Sequence, residues 1–182
     1  MDGIYVSNEE RMRTISTIHA KSFSVNLDEV KLSSGRITER IRVLHPDASA
    51  IIPILEDGRI ILVKQYRYSI QEETLEIPAG KIDKGETAEE CAKRELKEET
   101  GYSATKLKYL LTYIPAIGYS NEKLHFYKGT DLRKHPDYEF PSDEISNLEM
   151  LSLPEINKKI LSGEIKDGKT ILAMALVKKC FE

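Results

Sequence analysis

Only two cysteines occur in 182 residues, Cys91 and Cys180, and they stand far apart in the chain. That spacing argues against a disulfide framework and fits a reducing compartment. Basic residues are not in excess: 27 Lys and Arg face 30 Asp and Glu, for a net charge of −3. A general nucleic-acid binder needs a basic face, so no nucleic-acid partner is expected. An anionic substrate must be met by local positive charge or by metal, since the global field does not attract it. No apolar run approaches the ~20 residues of a membrane helix, and the N-terminus shows no signal-like apolar core. The expected address is the cytoplasm, with no membrane partner. Tryptophan is absent, which excludes nothing. What remains, 40% hydrophobic and 31% charged, is an ordinary globular composition in a chain long enough to bury a core.

Residues 20–31 alternate in part, Ser33-Ser34-Gly35-Arg36 reads as a turn, and 37–44 resume an extended pattern, which predicts a β-hairpin. The apolar runs 49–55 and 60–65 flank Glu56-Asp57-Gly58-Arg59 and predict a second one. Thr87 with Glu90 three residues on is a capping box, so a helix opens at Ala88, and Gly101 closes it. Strands are expected over 106–114, 122–129 and 146–152, and helices over 154–161 and 169–179. The polar stretch 132–144, with two prolines and no periodicity, reads as a long functional loop. Strands mixed with few helices, without regular βαβ alternation, predict an α+β or α/β/α layered domain.

The helix from Ala88 carries the sharpest chemical signal. At about 100° per residue, Glu95 and Glu99 fall roughly 20° either side of the line through Ala88. Cys91, Ala92 and Leu96 flank the same stripe, while Glu90, Lys93 and Lys97 point away. Carboxylates at the centre of a face destined for burial are costly unless a cation meets them. A solvated acidic face would put them opposite the apolar residues instead. With Glu98 alongside, three carboxylates can gather around a divalent metal.

The stretch Gly80-Lys-Ile-Asp-Lys-Gly-Glu86, then seven residues, then Arg94-Glu-Leu-Lys-Glu-Glu-Thr-Gly-Tyr102 resembles the Nudix hydrolase signature. It matches at Gly80, Glu86, Arg94, Glu95, Leu96, Glu98, Glu99, Gly101 and Tyr102. The resemblance implies an α/β fold, a Nudix-type α/β/α sandwich with a mixed sheet and an N-terminal β-hairpin region. It also implies hydrolysis of a nucleoside diphosphate linked to another group, with Mg2+ or Mn2+ as cofactor. Glu95 and Glu99 are then metal ligands, Glu98 a ligand or a group that holds water at the metal, and the Ala79 carbonyl a further ligand. Arg94 and Glu86 become an ion pair that fixes the loop against the helix, and Gly80 and Lys81 lie against substrate.

Val63-Lys64-Gln65-Tyr66-Arg67 and Leu75-Glu76-Ile77-Pro78-Ala79-Gly80 are similar to the ADP-ribose pyrophosphatase branch of that family. Pro115, Ser120 and Glu122 resemble its downstream pattern. The likeness implies ADP-ribose as substrate, split into AMP and ribose 5-phosphate, with Arg67 on the diphosphate. It implies a homodimer through residues 1–45, with Arg40 near the partner's pocket, and a hydrolase domain over 46–182. The general base is expected in a late acidic loop, from Glu144 or Asp143, with Glu98 next in line. Two departures touch the ends of the substrate: Arg40-Ile41 replaces an Arg-Glu pair, and Ile114-Pro115-Ala116-Ile117-Gly118-Tyr119 replaces a Ser-Pro-Gly-like turn. Another nucleotide sugar or a dinucleotide therefore stays open as substrate. A non-catalytic nucleotide-sensing domain is the alternative from another class, but it usually has damaged acidic positions and none is missing here.

Overall fold

The structure, a computed structural model, describes residues 8–138 and 145–180. The chain divides into two compact units. The first gathers the described residues up to Pro46 together with Ile114–Glu122, and the second holds Asp47–Tyr113 and the described residues from Lys123 onward.

In the first unit, β1 (Glu9–His19), β2 (Ser24–Leu32) and β3 (Ile37–Leu44) form an antiparallel three-stranded sheet in that order. The expected β2–β3 hairpin is present, and Gly35 in its turn takes φ +82, a conformation that favours glycine. The structure corrects the hairpin to a meander by adding β1. That strand is exposed at every position, so no buried alternation marks it in the sequence. It is tied to β2 by its ladder, by Thr14 donating to Asp28 at 2.6 Å and by the Arg13–Glu29 ion pair. Residues 114–122 join this unit through backbone. The Val43 N–H donates to the Tyr119 carbonyl (2.7 Å), and the Asn121 N–H donates to the Val43 carbonyl (3.3 Å).

The second unit is built on β4 (Ala48–Pro53), buried along its whole length. A strand buried on both faces reads as a near-continuous apolar run, here interrupted by Ser49, whose hydroxyl donates to the Ala88 carbonyl at 2.7 Å. It lies inside a four-stranded mixed sheet of order β7-β4-β9-β8, with β7 (Ala79–Lys81), β8 (Tyr102–Tyr113) and β9 (Leu124–Lys134). β4 runs parallel to β9 and antiparallel to β7. Its side chains alternate between two cores: Ala48, Ala50 and Ile52 enter the larger one with Ile77 and Phe126. Ile51 faces the other side with Ala92, Leu96 and Tyr127, where α1 (Ala88–Thr100) covers the sheet. A second antiparallel sheet, order β10-β5-β6, comprises β5 (Ile60–Arg67), β6 (Glu72–Glu76) and β10 (Ile145–Leu151). It meets the larger core with α2 (Leu153–Leu161) and α3 (Gly168–Cys180), through Leu62, Leu75, Ile156, Ala173 and Val177. This is the α/β layering with a mixed sheet that the sequence predicts.

The second hairpin is corrected. Its turn forms, with the Leu55 N–H donating to the Arg59 carbonyl (2.8 Å) and Gly58 at φ +85. Beyond an Ile54–Ile60 bridge, however, β4 and β5 enter different sheets. β4 and the first half of β5 are buried on both faces, and each is an inner strand of its own sheet rather than the partner of the other. The expected loop over 132–144 begins later, since β9 runs to Lys134. Residues 139–144, with Asp143 and Glu144, lie outside the described residues. Among the described residues, no helix is long and apolar enough to cross a membrane.

Candidate active site

Helix α1 is specified locally at both ends. The Thr87 hydroxyl accepts from the Glu90 N–H (3.2 Å) while the Glu90 carboxylate accepts from the Thr87 N–H (2.9 Å). These bonds satisfy donors that a helix start leaves orphaned. Gly101 ends the helix at φ 72, its N–H donating to the Lys97 carbonyl. Cys91, Ala92, Leu96 and Thr100 are buried, and Lys93, Lys97 and Glu98 are exposed. Glu95 lies on the buried side with its side chain 12% exposed.

Two backbone contacts set these carboxylates against β7. The Ala79 N–H donates to Glu99 Oε2 at 3.1 Å. A Cβ on Gly80 would fall 1.9 Å from Glu95 Oε1, so a side chain there would have to displace that carboxylate. Burial and then the charge of Glu95 push the Glu99 carboxyl up to about 8, against the pull of the Ala79 N–H, Lys169 and Arg67. Burial also raises Glu95, against the hydrogen bond and charge of Arg94.

Arg94 does more than the expected pairing with Glu86. Its Nε and Nη2 hold both Glu86 oxygens at 2.8 and 3.0 Å, a bidentate fork. Nη1 donates to Glu95 Oε1 (2.7 Å) and Glu98 Oε2 (3.0 Å), and Nη2 also donates to the Lys81 carbonyl (3.0 Å). One guanidinium thus joins β7, the loop after it and two of the three helix carboxylates. Hydrogen bonds from Arg94, then from the Asp83 N–H, hold the Glu86 carboxyl down at about 2. The Cys91 thiol is buried and donates to the Gly80 and Lys81 carbonyls at 3.4 Å, a packing role.

Other expected residues stand elsewhere. Arg67 does not present an open fork: Nε donates to Glu76 Oε1 at 2.7 Å and Nη2 to Oε2. The side chain of Lys81 is exposed. Arg40, Pro115, Ser120 and Glu122 belong to the first unit. There Arg40 is forked onto Glu9 (3.0 and 2.7 Å), the Ser120 hydroxyl accepts from the Glu122 N–H (3.2 Å), and Glu122 lies 3.4 Å from His45 Nδ1. Within that unit, Arg11, Arg40, Arg42, Tyr119 and Ser120 line a cleft of about 740 Å³. Sequence reasoning misses Tyr138, whose hydroxyl donates to the Glu98 carbonyl (2.8 Å) and whose ring lies where a Cβ on Gly101 would go. A tyrosine between helix and loop has no periodicity to reveal it.

The donor set fits a divalent cation. Two half-buried carboxylates share one side of the helix, and burial raises both against the pull of the neighbouring cations Arg94, Lys169 and Arg67. Among the described residues, no three His, Cys, Asp or Glu side chains come together as a metal-holding group, so the expected gathering of Glu95, Glu98 and Glu99 is reduced to the Glu95–Glu99 pair. Magnesium does not need three, since it takes one or two carboxylates and completes its shell with water and phosphate oxygens.

A family model described as NUDIX domain matches residues 44–173. A protein named methanol dehydrogenase activator from Bacillus methanolicus is 34% identical over 91% of this chain and 90% of its own. An ADP-ribose pyrophosphatase from Bacillus subtilis is 35% identical over 85% of this chain and 84% of its own. A solved ADP compounds hydrolase superposes with a TM-score of 0.78 at 25% identity, covering 94% of this chain and 92% of that one. With Glu95 held by Arg94 beside Gly80 and Glu99 by the Ala79 N–H, and with the family model spanning the whole of that site, this chain belongs to the NUDIX family.

Proposed function

We propose that the chain hydrolyses ADP-ribose at its diphosphate, giving AMP and ribose 5-phosphate, with magnesium or manganese as the resident cation. The observation that carries this reading is the Glu95–Glu99 pair, half-buried beside the apolar helix face and against the Ala79 and Gly80 backbone. Glu95, Glu99 and the Ala79 carbonyl would hold the cation, with Glu98 beside them. When bound, the cation neutralises the diphosphate and acidifies the attacking water. Arg94 fixes the rotamers of Glu95 and Glu98, so the carboxylates are preorganised. The proton is taken by Glu144 or Asp143, carboxylates outside the helix and not engaged by the cation. Gly80 and Lys81 lie against the diphosphate, while Arg40, Pro115, Ser120 and Glu122 serve the base and terminal-ribose ends.

The likeness to a protein named ADP-ribose pyrophosphatase supports the substrate. A second reading, hydrolysis of another nucleotide sugar or a dinucleotide, is favoured by Arg40-Ile41 and by the altered turn 114–119, both at the ends of the substrate. The test is product analysis by chromatography with ADP-ribose, nucleotide sugars and dinucleotides, each with Mg2+ or Mn2+. ADP-ribose is expected to be turned over fastest. Glu95→Gln and Glu99→Gln are expected to lose at least about 10²-fold in kcat with unchanged melting, and Glu144→Gln or Asp143→Asn at least about tenfold. Near-normal turnover in both helix variants overturns the metal-site assignment. Preference for another nucleotide sugar or for a dinucleotide overturns the substrate alone.

A further inference from the structure

The chain crosses from one sheet to the other just before the catalytic strand. Glu76, the last residue of β6, pairs with Val63 in the antiparallel sheet. Ala79, the first residue of β7, pairs with Ala50 in the mixed sheet. Ile77 and Pro78 carry the crossing, and Ile77 is fully buried. A buried backbone N–H between two ladders needs a partner from elsewhere. The Ile77 N–H finds it in Thr170 Oγ1 of α3, at 2.9 Å.

The Thr170 hydroxyl is itself oriented. Thr170 is fully buried, and its hydroxyl donates to Asp167 Oδ2 at 2.6 Å. The same Oδ2 accepts the Thr170 N–H at 2.9 Å, which caps the start of α3. With its one proton committed to Asp167, the hydroxyl can only accept from Ile77. Lys169, between them in sequence, pairs with Asp167 Oδ1 at 3.2 Å and with the buried Glu76 carboxylate. The crossing is then held at each step. Glu76 is held by Lys169 and Arg67, the Ile77 N–H by Thr170, the Pro78 carbonyl by the Ile51 N–H (2.9 Å), and the Ala79 N–H by Glu99.

We infer that the Asp167–Thr170 cap of α3 is a positioning element of the active site. Thr170 fixes where the chain changes sheets, and so where the Ala79 and Gly80 backbone meets Glu95 and Glu99. It touches no substrate and acts only through Ile77. This inference rests on the metal-site reading above, and its test carries two readouts that separate the failures.

Thr170→Val removes the acceptor while keeping the shape, and Thr170→Ser keeps the acceptor. Mn2+ affinity by calorimetry and ADP-ribose turnover are measured at a temperature where every variant is folded by circular dichroism. Thr170→Val is expected to lower kcat at least tenfold with KM changed less than threefold, and to weaken Mn2+ several-fold; Thr170→Ser restores both. A Thr170→Val protein that melts earlier but keeps wild-type kcat and Mn2+ affinity overturns the inference and leaves Thr170 a structural contact. If Thr170→Val does not fold, Asp167→Ala carries the test through the same hydroxyl. It is expected to cut kcat and Mn2+ affinity at least threefold, and no change in either overturns the inference. If wild type does not turn over ADP-ribose, the substrate reading falls while Mn2+ affinity still decides the positioning role.

Discussion

Arg94 is the residue on which the site turns, because no other cation can make its set of bonds. Its flat fork reaches Glu86, Glu95, Glu98 and the Lys81 carbonyl at once. A lysine there keeps the charge but has one compact head group on a flexible stem. Arg94→Lys is therefore expected to release Glu95 and Glu98 from fixed geometry and to lower kcat about ten- to a hundredfold. Kinetics on the purified variant decide this, and a kcat within twofold of wild type removes the orienting role. The Arg94–Glu86 pair was legible in the sequence because both residues stand in one motif. The bonds to Glu95 and Glu98 were not, since the direction of a side chain is set by what packs around it. Arg67 shows the reverse: its sequence neighbours suggest a phosphate ligand, and only the fold brings Glu76 within its reach.

At the scale of elements, local signals are legible in the sequence and non-local ones are not. Thr87, Glu90 and Gly101 define α1 by bonds within a few residues, so its limits could be read directly. The separation of β4 from β5 depends on which distant strand pairs with each, and nothing in the turn at 55–59 encodes that. The same holds for Glu76. Its charge interrupts the apolar pattern of Leu75 and Ile77, while the partners that justify it lie in β5 and α3. Burial opposes its ionisation, yet hydrogen bonds and charge from Arg67, Lys169 and Thr74 outweigh it and hold the carboxyl near 2, down from 4.5. The folded state thus binds the proton more weakly than the unfolded chain. The resulting stability is fully present above about pH 4.5 and is lost as pH falls through about 2, and it is worth at most about 3 kcal/mol. Urea unfolding between pH 5 and 2.5 is expected to show a shallower loss of stability in Glu76→Gln than in wild type. Equal slopes would mean that Glu76 titrates alike folded and unfolded.

At the scale of the whole molecule, the first unit is a small sheet with little core of its own. β1 is exposed throughout, and Met12, Ile15, Ile18, Ile37 and Ile41 show large apolar surfaces to solvent. Such surface normally marks an interaction site, and a three-stranded sheet cannot fold over to hide it. The expected outcome is a homodimer through residues 1–45, with a light-scattering mass twice the 20.7 kDa of the chain at micromolar concentration. A fully active monomer would refute it.

The first unit is also written in two separate stretches of the chain. Residues 114–122 lie between β8 and β9 of the other unit, yet their backbone bonds go to Val43 and their side-chain bonds to His45. It is therefore not a cassette that a single cut at Pro46 could remove. A gene shortened to that point would still encode 114–122, now with the Tyr119 carbonyl and the Asn121 N–H stripped of their partners. Removing the N-terminal strands would therefore strip this loop of its backbone partners, although nearly seventy residues of sequence part the two stretches.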